Sequence, residues 1–533
     1  MADITYFDAR CYLGRYLQTV EGQPIDEPSL LSGMDHFGIH EALVLDSLSV
    51  ASNPMAGNRR ILERTANHPR LHPAWAGLLP HSREFPPPRE FVSEMKECGV
   101  GAVYLFYRQF DLPLDDWGVD ELLSAMVEER VPLFLCATDL LEPGAIDCTD
   151  WTSVVDLCRR FPELPVVATE DRIYCSQRAL YEALAACPNL RIDLSVLWLH
   201  KRIEFIAREF GADRLVWGSH LPERTPGSPL MQLNYSDLSE DELRKIAGGN
   251  MRDLLSWNPN IRFVNDVDFP EPIDSLHATA RERRSLREER FYDCHGHIGW
   301  ADARHVINDT PEGIVREMDK LGVRVCLVFA LQVLGDVGYG MDEVAEMIHR
   351  YPDRFVGLTL VNPRNGKETM LADLERGLSL GMQGVKLVSN SYGGYDVNGP
   401  LIDLCAEFAH RHRQFILNHY WGSADRLLQL CRDYPDACFI VGHSYDYFGE
   451  VFRKVDNVYL CTCPFLGWGQ TERYIDIYGA DRILFGSDLT DLPIAWGLGQ
   501  IMYANISEAD KRKILGENLL RIMCDRGLTP KGE

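Results

Sequence analysis

The chain contains the same sequence pattern twice, and this internal repeat limits the folds available to it. MDHFGIHEALV, from Met34, aligns with MDKLGVRVCLV, from Met318, and GADRLVWGSH, ending at His220, aligns with GADRILFGSD, ending at Asp488. The matching segments keep the same order in both halves. Because a repeat of this length is a complete folding unit, the 533 residues are predicted to form two similar domains.

A Pro- and charge-rich connector separates the two copies. It begins with WNPNIRFVNDVDFPEPIDS, spans about residues 258–290, and is expected to end in a short helix of mixed charge. We therefore predict a first domain over residues 1–257, a linker over 258–290 and a second domain over 291–533.

Each copy alternates short apolar runs with segments of helical or loop length. The second copy has eight such runs: FYDCHGHIG, VRVCLVFA, FVGLTLVN, GVKLVS, QFILNH, CFIVGHS, VYLCTC and ILFGSD. The first copy has eight counterparts. Near-continuous apolar strands are typical of parallel strands buried on both faces, and eight strand–helix units in about 250 residues fit a (β/α)8 barrel. We predict an α/β chain of two tandem TIM barrels, with an open doubly wound sheet as the alternative.

Composition and charge narrow the functional classes. The chain has 54 Lys and Arg against 79 Asp and Glu, a formal net charge of −25, so we expect no binding to nucleic acid or to anionic membranes. The N-terminal MADITYFDAR lacks the pattern of a signal peptide, and no apolar run has the length of a membrane helix. The 15 cysteines are scattered without a C-x-x-C pair, which indicates buried, reduced thiols. We expect a cytoplasmic protein with a small-molecule substrate.

Polar residues close several predicted strands of the second copy. His295 and His297 close the first strand, His419 the fifth and Asp488 the eighth. Alternate residues of a strand point the same way, and the chemistry of such barrels lies at the carboxyl ends of the strands. Three imidazoles and a carboxylate at that face suit a divalent ion such as Zn2+, with a position open for water or substrate. Each residue alone also has a structural interpretation, as a rim histidine or a helix cap, so the prediction depends on the four together.

The second copy resembles the amidohydrolase superfamily, in the amidohydrolase-related branch that includes aminocarboxymuconate semialdehyde decarboxylase. The resemblance extends over residues 291–523 and depends on YDCHGHIG, RYPDRFVGLTLVNP, LGMQGVKL, FILNHY, FIVGHS, NVYLCTC, GADRILFGSD and ILGENLLRI. It implies that the four strand-end residues above bind one catalytic metal ion, usually zinc and sometimes manganese. It also implies that His443 is a substrate-facing catalytic histidine.

Lys386, which closes the predicted fourth strand, has three interpretations. In two-metal amidohydrolases a lysine on that strand is carboxylated and bridges the ions. In the resembled branch a single metal is usual, and this is the arrangement that we expect. The side chain can also simply pack inside the barrel, with its amine on a neighbouring carboxylate.

Aromatic residues are frequent in the loops that follow the ligand strands: Trp300, Tyr420, Trp421, Tyr445, Tyr447 and Trp468. Flat apolar surfaces of this kind suit a planar ring or a conjugated acid, although aromatic residues at a barrel rim also serve for packing. Trp300, Tyr420 and Trp468 are, with Lys386, the candidates for contact with substrate or for support of the ligands.

Two reactions remain open for one ion held by these residues. In a hydrolase the ion acidifies a water, Asp488 takes its proton, and the water attacks a carbonyl group that the ion or His443 polarises. In a non-oxidative decarboxylase the ion holds the substrate carboxylate. We predict a metal-dependent hydrolase that cleaves a C–O or C–N bond, in a lactone, ester or amide, of a small aromatic or unsaturated acid. A decarboxylase of such an acid is the alternative, and a non-catalytic double-barrel scaffold is the alternative from another class.

The first copy has lost the ligand set. In the order His295, His297, His419, Asp488, His443 and Lys386, its aligned residues are Arg10, Tyr12, Ala137, His220, Glu170 and Tyr104. Arginine keeps its proton and alanine offers no donor atom, so no catalytic metal is expected here. Glu170 and His220 can form an acid–base pair, or Glu170 can form a structural ion pair with Arg10.

We hypothesise that the first barrel packs against the second and takes the place that a neighbouring subunit has in dimeric decarboxylases of the resembled branch. It would then stiffen the second barrel or lend it a side chain, for which Arg10 and Arg108 are the basic candidates near strand ends. A homo-oligomer remains possible alongside this packing.

Overall fold

The structure is a computed structural model that describes residues 4–15, 19–137, 149–169, 177–195, 197, 199–300, 305–307, 310–331, 336–389, 393–443 and 445–528. The chain divides into two compact units, Met1–Pro272 and Ile273–Glu533. Among the described residues, no helix combines the length and the apolarity needed to cross a lipid bilayer.

The first unit arranges short parallel strands around an apolar core. The described strands are β1 Phe7–Leu13, β2 Glu41–Asp46, β3 Leu71–Pro73, β4 Trp75–Ala76, β5 Val103–Phe106, β6 Leu133–Cys136, β7 Val166–Thr169, β8 Leu190–Asp193 and β9 Leu215–Val216. They form a sheet β1-β2-β3 and a sheet β4-β5-β6-β7-β8-β9. The N–H of Ala9 donates to the carbonyl of Trp217, which brings β1 to the chain after β9.

The third predicted strand of this unit is divided between the two sheets at Ala74. The N–H of Ala74 donates to the carbonyl of Val44 in β2, whereas the N–H of Trp75 donates to the carbonyl of Ala102 beside β5. The strand therefore bonds to one neighbour in its first half and to the other neighbour in its second half. It still occupies one place in the barrel.

The second unit has one parallel sheet whose eight strands follow the order of the chain. They are β10 Phe291–Ile298, β11 Val323–Ala330, β12 Phe355–Val361, β13 Gly384–Leu387, β14 Phe415–Asn418, β15 Cys438–Val441, β16 Val458–Cys461 and β17 Ile483–Leu484. The N–H of Cys294 donates to the carbonyl of Phe485 and the N–H of Asp488 to the carbonyl of His295, both at 2.8 Å, which joins the last strand to the first. The predicted tandem TIM barrels are confirmed.

Helices follow the strands and cover them from outside. In the first unit they are Glu27–Phe37, Ser47–Ala51, Pro54–Thr65, Pro88–Glu97, Asp116–Glu129, Trp151–Arg160, Gln177–Ala186, Arg202–Phe210, Gly227–Asn234, Glu240–Arg244 and Asn250–Leu255. In the second they are Ser275–Arg281, Pro311–Lys320, Val337–Arg350, Lys367–Ser379, Pro400–Arg411, Ala424–Asp433, Gly449–Lys454, Gln470–Tyr478, Ile494–Met502, Glu508–Arg512 and Asn518–Asp525. Short 3-10 turns lie at Pro80–Ser82, Ala212–Arg214, Pro363–Asn365 and Ala480–Arg482.

Both units have the same helical arrangement near their end, in which a π-helical turn precedes the last helix. The turns are Lys245–Gly249 and Lys513–Glu517. In the second, a Cβ on Gly516 would lie 2.5 Å from the carbonyl oxygen of Arg290. The wider turn and the missing side chain thus let the last helical segment pack directly against the start of β10, which carries two candidate ligands.

The connector divides between the two units. Asn258 donates to the carbonyls of Met95 and Val100 in the first unit, whereas Asp274 pairs with Lys511 at 2.6 Å in the second. The predicted short helix lies at Ser275–Arg281 and not at the end of the connector.

The helix has this position because residues directly before and after it fix its two ends. Asp274 accepts a hydrogen bond from the N–H of His277 and caps the start. Beyond the end, Arg283 has a φ of 58° and reverses the helical course.

Candidate metal centre

His295, His297 and Asp488 converge at the carboxyl-terminal end of the second barrel. Their donor atoms lie within 4.8 Å of one another, and all three residues are buried. The distance from His297 Nε2 to Asp488 Oδ1 is 2.8 Å, and that from His295 Nε2 to the same oxygen is 3.2 Å. Strand alternation places both histidines of β10 on the inner side, as their spacing predicts.

His419 and His443 stand beside this group as a pair of stacked rings. Their ring centroids are 4.0 Å apart with planes 21° from parallel, and the ring of His419 lies 5.4 Å from that of His295. Within the described part of the chain, His419 Nε2 is buried and has no hydrogen-bond partner. A buried imidazole nitrogen without a partner is unfavourable, so its place next to three other donors suits a residue that binds a cation. The donor set of the chain therefore fits a divalent metal ion.

Asp293 holds together the two strands that carry these ligands. Its Oδ1 accepts the N–H of His295 at 2.9 Å and the N–H of Ser487 at 3.0 Å, and its Oδ2 accepts the hydroxyl of Ser487. Burial raises the pKa of Asp293 to about 6. This carboxyl group positions the backbone on both sides of the site.

Two glycines make room for the site. A Cβ on Gly442 would lie 2.9 Å from Cδ2 of His419, and one on Gly486 would lie 2.4 Å from the sulfur of Cys461. Each precedes a site segment in which a residue has a φ of 62°, namely His443 and Asp488. Left-handed backbone at non-glycine residues is uncommon and is often found at functional sites. These glycines are not among the residues predicted for the site, although the pairs Gly-His and Gly-Ser stand at strand ends in the sequence.

Burial and mutual charge shift the pKa values at this site. Burial lowers the pKa of His419 well below its usual value and that of His443 to about 4. Burial alone would raise the pKa of Asp488, but the hydrogen bond from His297 and the charges of His295 and His297 hold it well below its usual range. His295 differs, because a hydrogen bond to Cys461 and the charge of Asp488 outweigh burial and raise its pKa. The site is thus a buried carboxylate among imidazoles.

Lys386 lies in the wall of the same barrel. Its Nζ donates to the carbonyl of Leu387 at 2.7 Å and lies 5.1 Å from the ring centroid of Phe329. Burial lowers the pKa of Lys386 to about 7, and the charge of Asp488 opposes that shift. The amine is therefore within electrostatic range of the candidate ligands.

Two cysteines near the end of β16 reach the centre. Cys461 Sγ lies 3.7 Å from His295 Nδ1. Cys463 forms a second group with His443 and Asp488, whose donor atoms also lie within 4.8 Å of one another. From the sequence, these cysteines are expected only as buried, reduced thiols. The signal for their position at the centre is C-T-C at a strand end, which has the same alternation as H-G-H.

The predicted aromatic residues differ in exposure. Tyr420 is 39% exposed, and its ring centroid lies 6.5 Å from that of Tyr445. Trp300 is 50% exposed, and Trp468 is half-buried. Trp421 is fully buried and serves packing, because its indole N–H donates to a carbonyl of β15. The contact of Trp300 and Trp468 with substrate stays a prediction.

In the first unit a side-chain cation occupies the corresponding place. Arg10 is fully buried, and its guanidinium lies 3.7 Å from Asp193 and donates to the hydroxyl of Tyr12 at 3.0 Å. The ring of His220 lies 5.3 Å from that of Tyr12. Since the positive charge beside Asp193 comes from the chain itself, this arrangement suits a barrel without a metal ion.

The other candidate residues of the first unit lie in different environments. The hydroxyl of Tyr104 donates to the carbonyl of Ala9 at 2.7 Å, which is a structural contact. Ala137 is buried, and Arg108 is exposed. Glu170 lies outside the described residues, so its predicted pairing with His220 or Arg10 stays a prediction.

The chain has sequence and structural similarity to known proteins. The family model described as amidohydrolase matches residues 34–257 and 292–522. Similar solved structures include 2,6-dihydroxybenzoate decarboxylase from Rhizobium, with 17% identity, a TM-score of 0.36 and coverage of 44% of this chain and 99% of that chain. No curated protein matches the chain.

Two further solved structures have comparable scores. One is 5-carboxyvanillate decarboxylase from Sphingomonas paucimobilis, with 16% identity, a TM-score of 0.36 and coverage of 44% of this chain and 98% of that chain. The other is an uncharacterised TIM-barrel protein from Bordetella bronchiseptica, with 17% identity, a TM-score of 0.37 and coverage of 45% and 99%. The family match, in contrast, extends over both units of the chain.

Proposed function

This chain belongs to the amidohydrolase family of enzymes, and we propose that its second unit is a metal-dependent hydrolase. The bond cleaved is a C–O or C–N bond in a lactone, ester or amide of a small acid. The observation that carries the proposal is the buried group of His295, His297 and Asp488, with donor atoms within 4.8 Å of one another. His419 is the proposed fourth ligand.

Zn2+ is the metal ion that this donor set suits best, with Mn2+ as the second choice. Imidazole and carboxylate ligands bind zinc at about 2.0–2.2 Å, and a catalytic zinc site keeps one position open. When bound, such an ion polarises a carbonyl group and lowers the pKa of a water molecule. The first unit is proposed to hold no such ion, because Arg10 supplies the charge beside Asp193.

Asp488 and His443 are the proposed catalytic residues. Oδ1 of Asp488 faces the two histidines of β10, so its second oxygen is the one suited to take a proton from the attacking water. His443 is neutral at physiological pH because burial lowers its pKa to about 4. A neutral imidazole can donate one N–H to the substrate oxygen, which stabilises the negative charge that develops there.

Lys386 favours a second candidate function, the non-oxidative decarboxylation of an aromatic or conjugated acid. A buried amine within the field of Asp488 is a natural partner for the carboxylate of such a substrate. Decarboxylation breaks the bond between the substrate carbon and its carboxylate, releases carbon dioxide and leaves the electron pair on the carbon, which then takes a proton. An amine with a pKa near 7 can deliver that proton.

The test has two parts, metal content and product. We expect about one equivalent of zinc or manganese in the purified full-length chain, and the loss of that equivalent in His295→Ala/His297→Ala. A fully folded wild-type chain that binds neither ion would overturn the metal-dependent mechanism.

The second part separates the two reactions. A panel of aromatic acids and of lactones, esters and amides is assayed both for carbon dioxide and for hydrolysis products. Hydrolysis with the metal-loaded chain supports the first proposal, whereas release of carbon dioxide without water consumption replaces it with the second. In the second case we expect Lys386→Met to abolish turnover and to leave the metal bound.

A further inference from the structure

Among the described residues, Asp488 belongs to two donor groups, and the proposed function places a metal ion in only one of them. The first group is His295, His297 and Asp488; the second is His443, Cys463 and Asp488. In each group the donor atoms lie within 4.8 Å of one another. In the second group, Cys463 and Asp488 are buried and His443 is half-buried.

We propose that His443, Cys463 and Asp488 form a second cation site, which takes a thiophilic ion such as Zn2+ or Cd2+ and inhibits the enzyme when it is filled. We name it the thiol site. The inhibitory part rests on the proposed function, because it requires that His443 and Asp488 act on the substrate. The binding part depends only on the donor atoms.

The geometry is compatible with one ion. Zinc binds thiolate sulfur at about 2.3 Å and imidazole nitrogen or carboxylate oxygen at about 2.0–2.2 Å. Two ligands of one ion are therefore at most about 4.5 Å apart, so small side-chain rotations bring a group of 4.8 Å to bonding distances. The ion replaces the thiol proton of Cys463, which leaves to solvent.

Sulfur is the donor that gives the thiol site its selectivity. Thiolates favour zinc and other soft ions, whereas manganese favours oxygen ligands. The first group contains only nitrogen and oxygen donors and accepts either kind of ion. The thiol site differs from it by Cys463, so excess zinc should fill both sites and excess manganese only the first.

The chain presents Cys463 toward Asp488 through the course of the backbone after β16. The N–H of Cys463 donates to Cys461 Sγ at 3.4 Å, and Cys461 in turn lies 3.7 Å from His295 Nδ1. The two thiols also interact with each other. Cys461 supports a ligand of the first group, and Cys463 belongs to the second.

An ion in the thiol site would block both catalytic residues. With one nitrogen bound to the ion, the imidazole of His443 is held away from the substrate oxygen to which it would donate its N–H, and the carboxylate of Asp488 becomes shared between two cations. A proton acceptor next to two cations is a weak base. Inhibition by zinc in excess of the first equivalent is the expected consequence.

The experiment measures binding and activity on the full-length chain. By equilibrium dialysis we expect two equivalents of Zn2+ or Co2+ for the wild type and one for Cys463→Ser. The Co2+-loaded wild type should show the near-ultraviolet charge-transfer absorption of a cobalt–thiolate bond, and Cys463→Ser should lack it. Cys438→Ser is the matched control, because Cys438 is a fully buried cysteine on β15 outside both groups.

Inhibition is tested with chain loaded with one equivalent of Mn2+. We expect added Zn2+ to inhibit the wild type and Cys438→Ser, and at least tenfold more Zn2+ to be needed for Cys463→Ser. Added Mn2+ should inhibit none of them. Two equivalents with thiolate absorption and no inhibition would overturn the inhibitory part.

The remaining outcomes separate this inference from the proposed function. One equivalent in the wild type without thiolate absorption overturns the thiol site and leaves the first site intact. No bound ion at all overturns both. Thiolate absorption that persists in Cys463→Ser assigns the sulfur to another cysteine and overturns the inference. If Cys463→Ser does not fold, the number of bound metal ions and the cobalt–thiolate absorption of the wild type still decide whether the thiol site exists.

Discussion

Asp8 and Asp293 make the same contacts in the two units, although only one unit has the histidines. Asp8 accepts the N–H of Arg10 at 3.0 Å, the N–H of Ser219 at 2.9 Å and the hydroxyl of Ser219. Asp293 does the same with His295 and Ser487. The contact that joins the first strand to the chain after the last is therefore independent of the residue that projects into the barrel.

Replacement of Asp293 tests its positioning role at the metal centre. We expect Asp293→Ala to weaken metal binding by about 10- to 100-fold, because residues that orient a ligand influence affinity to this extent. Asp8→Ala is the matched control, since it removes the same hydrogen bonds in the unit without the ligands. The measurement is the metal dissociation constant. Equal losses in both variants would contradict a local positioning role for Asp293.

The buried carboxyl group of Asp8 should make the free energy of unfolding of the first unit depend on pH. Burial raises the pKa of Asp8 from 3.8 to about 6, so the folded chain holds this proton to higher pH than the unfolded chain. The folded state then binds more protons between pH 4 and 6. The free energy of unfolding of the first unit should therefore fall as the pH rises through this window, by about 3 kcal/mol.

The comparison is between wild type and Asp8→Asn. The variant retains a side chain that can form hydrogen bonds but cannot ionise. Denaturant unfolding at pH 4.5 and pH 7 should give a smaller difference for the variant. An identical pH dependence in both chains would show that Asp8 contributes nothing to it.

At the scale of elements, the two barrels keep the same last helical segment. Asn250 donates to the carbonyls of Ala212 and Leu215 at 2.8 and 2.7 Å. Asn518 donates to those of Ala480 and Ile483 at 2.8 and 2.9 Å. Each amide attaches the start of the last helix to the turn before the last strand.

Removal of either amide should destabilise its own unit. We expect Asn250→Ala and Asn518→Ala each to lower the free energy of unfolding by about 1–3 kcal/mol, because two buried carbonyls lose a partner. Thermal unfolding followed by calorimetry is the measurement. If the units unfold separately, each substitution should move a different transition, and a shift of the same transition by both would contradict this.

At the scale of the whole molecule, the family assignment predicted from the second copy is confirmed over both units. The proposed distribution of metal is nevertheless unequal. The second unit has the group of His295, His297 and Asp488, whereas Arg10 takes the corresponding place in the first. A bound metal ion should therefore stabilise the second unit and not the first.

Metal removal tests this asymmetry. A ligand that binds only the folded state stabilises it by about 2.7 kcal/mol at a free concentration of 100 times its dissociation constant. Chelation should thus lower the unfolding temperature of one transition and leave the other in place. In His295→Ala/His297→Ala supplied with Mn2+, which the thiol site does not take, the chelator should change neither transition, and a chelator effect that persists there would place the ion elsewhere.

The repeat, the tandem barrels and the position of the candidate ligands at strand ends are predicted from residue order alone, because repeats and strand alternation are visible in the sequence. Strand alternation places His295 and His297 on one side, and strand order places Asp488 at the same face. The domain boundaries at residues 257 and 290 stay a prediction. The two compact units meet at residue 273, inside the predicted connector.

Which side chains meet at atomic distance, in contrast, follows only from the folded chain. His297 and Asp488 are 191 residues apart in sequence and 2.8 Å apart in space because the last strand returns to the first. That same closure brings Cys463 to Asp488, and the room beside Gly442 brings His419 onto His443. Such contacts depend on barrel closure and on the space left by residues of other strands, and no local pattern contains that information.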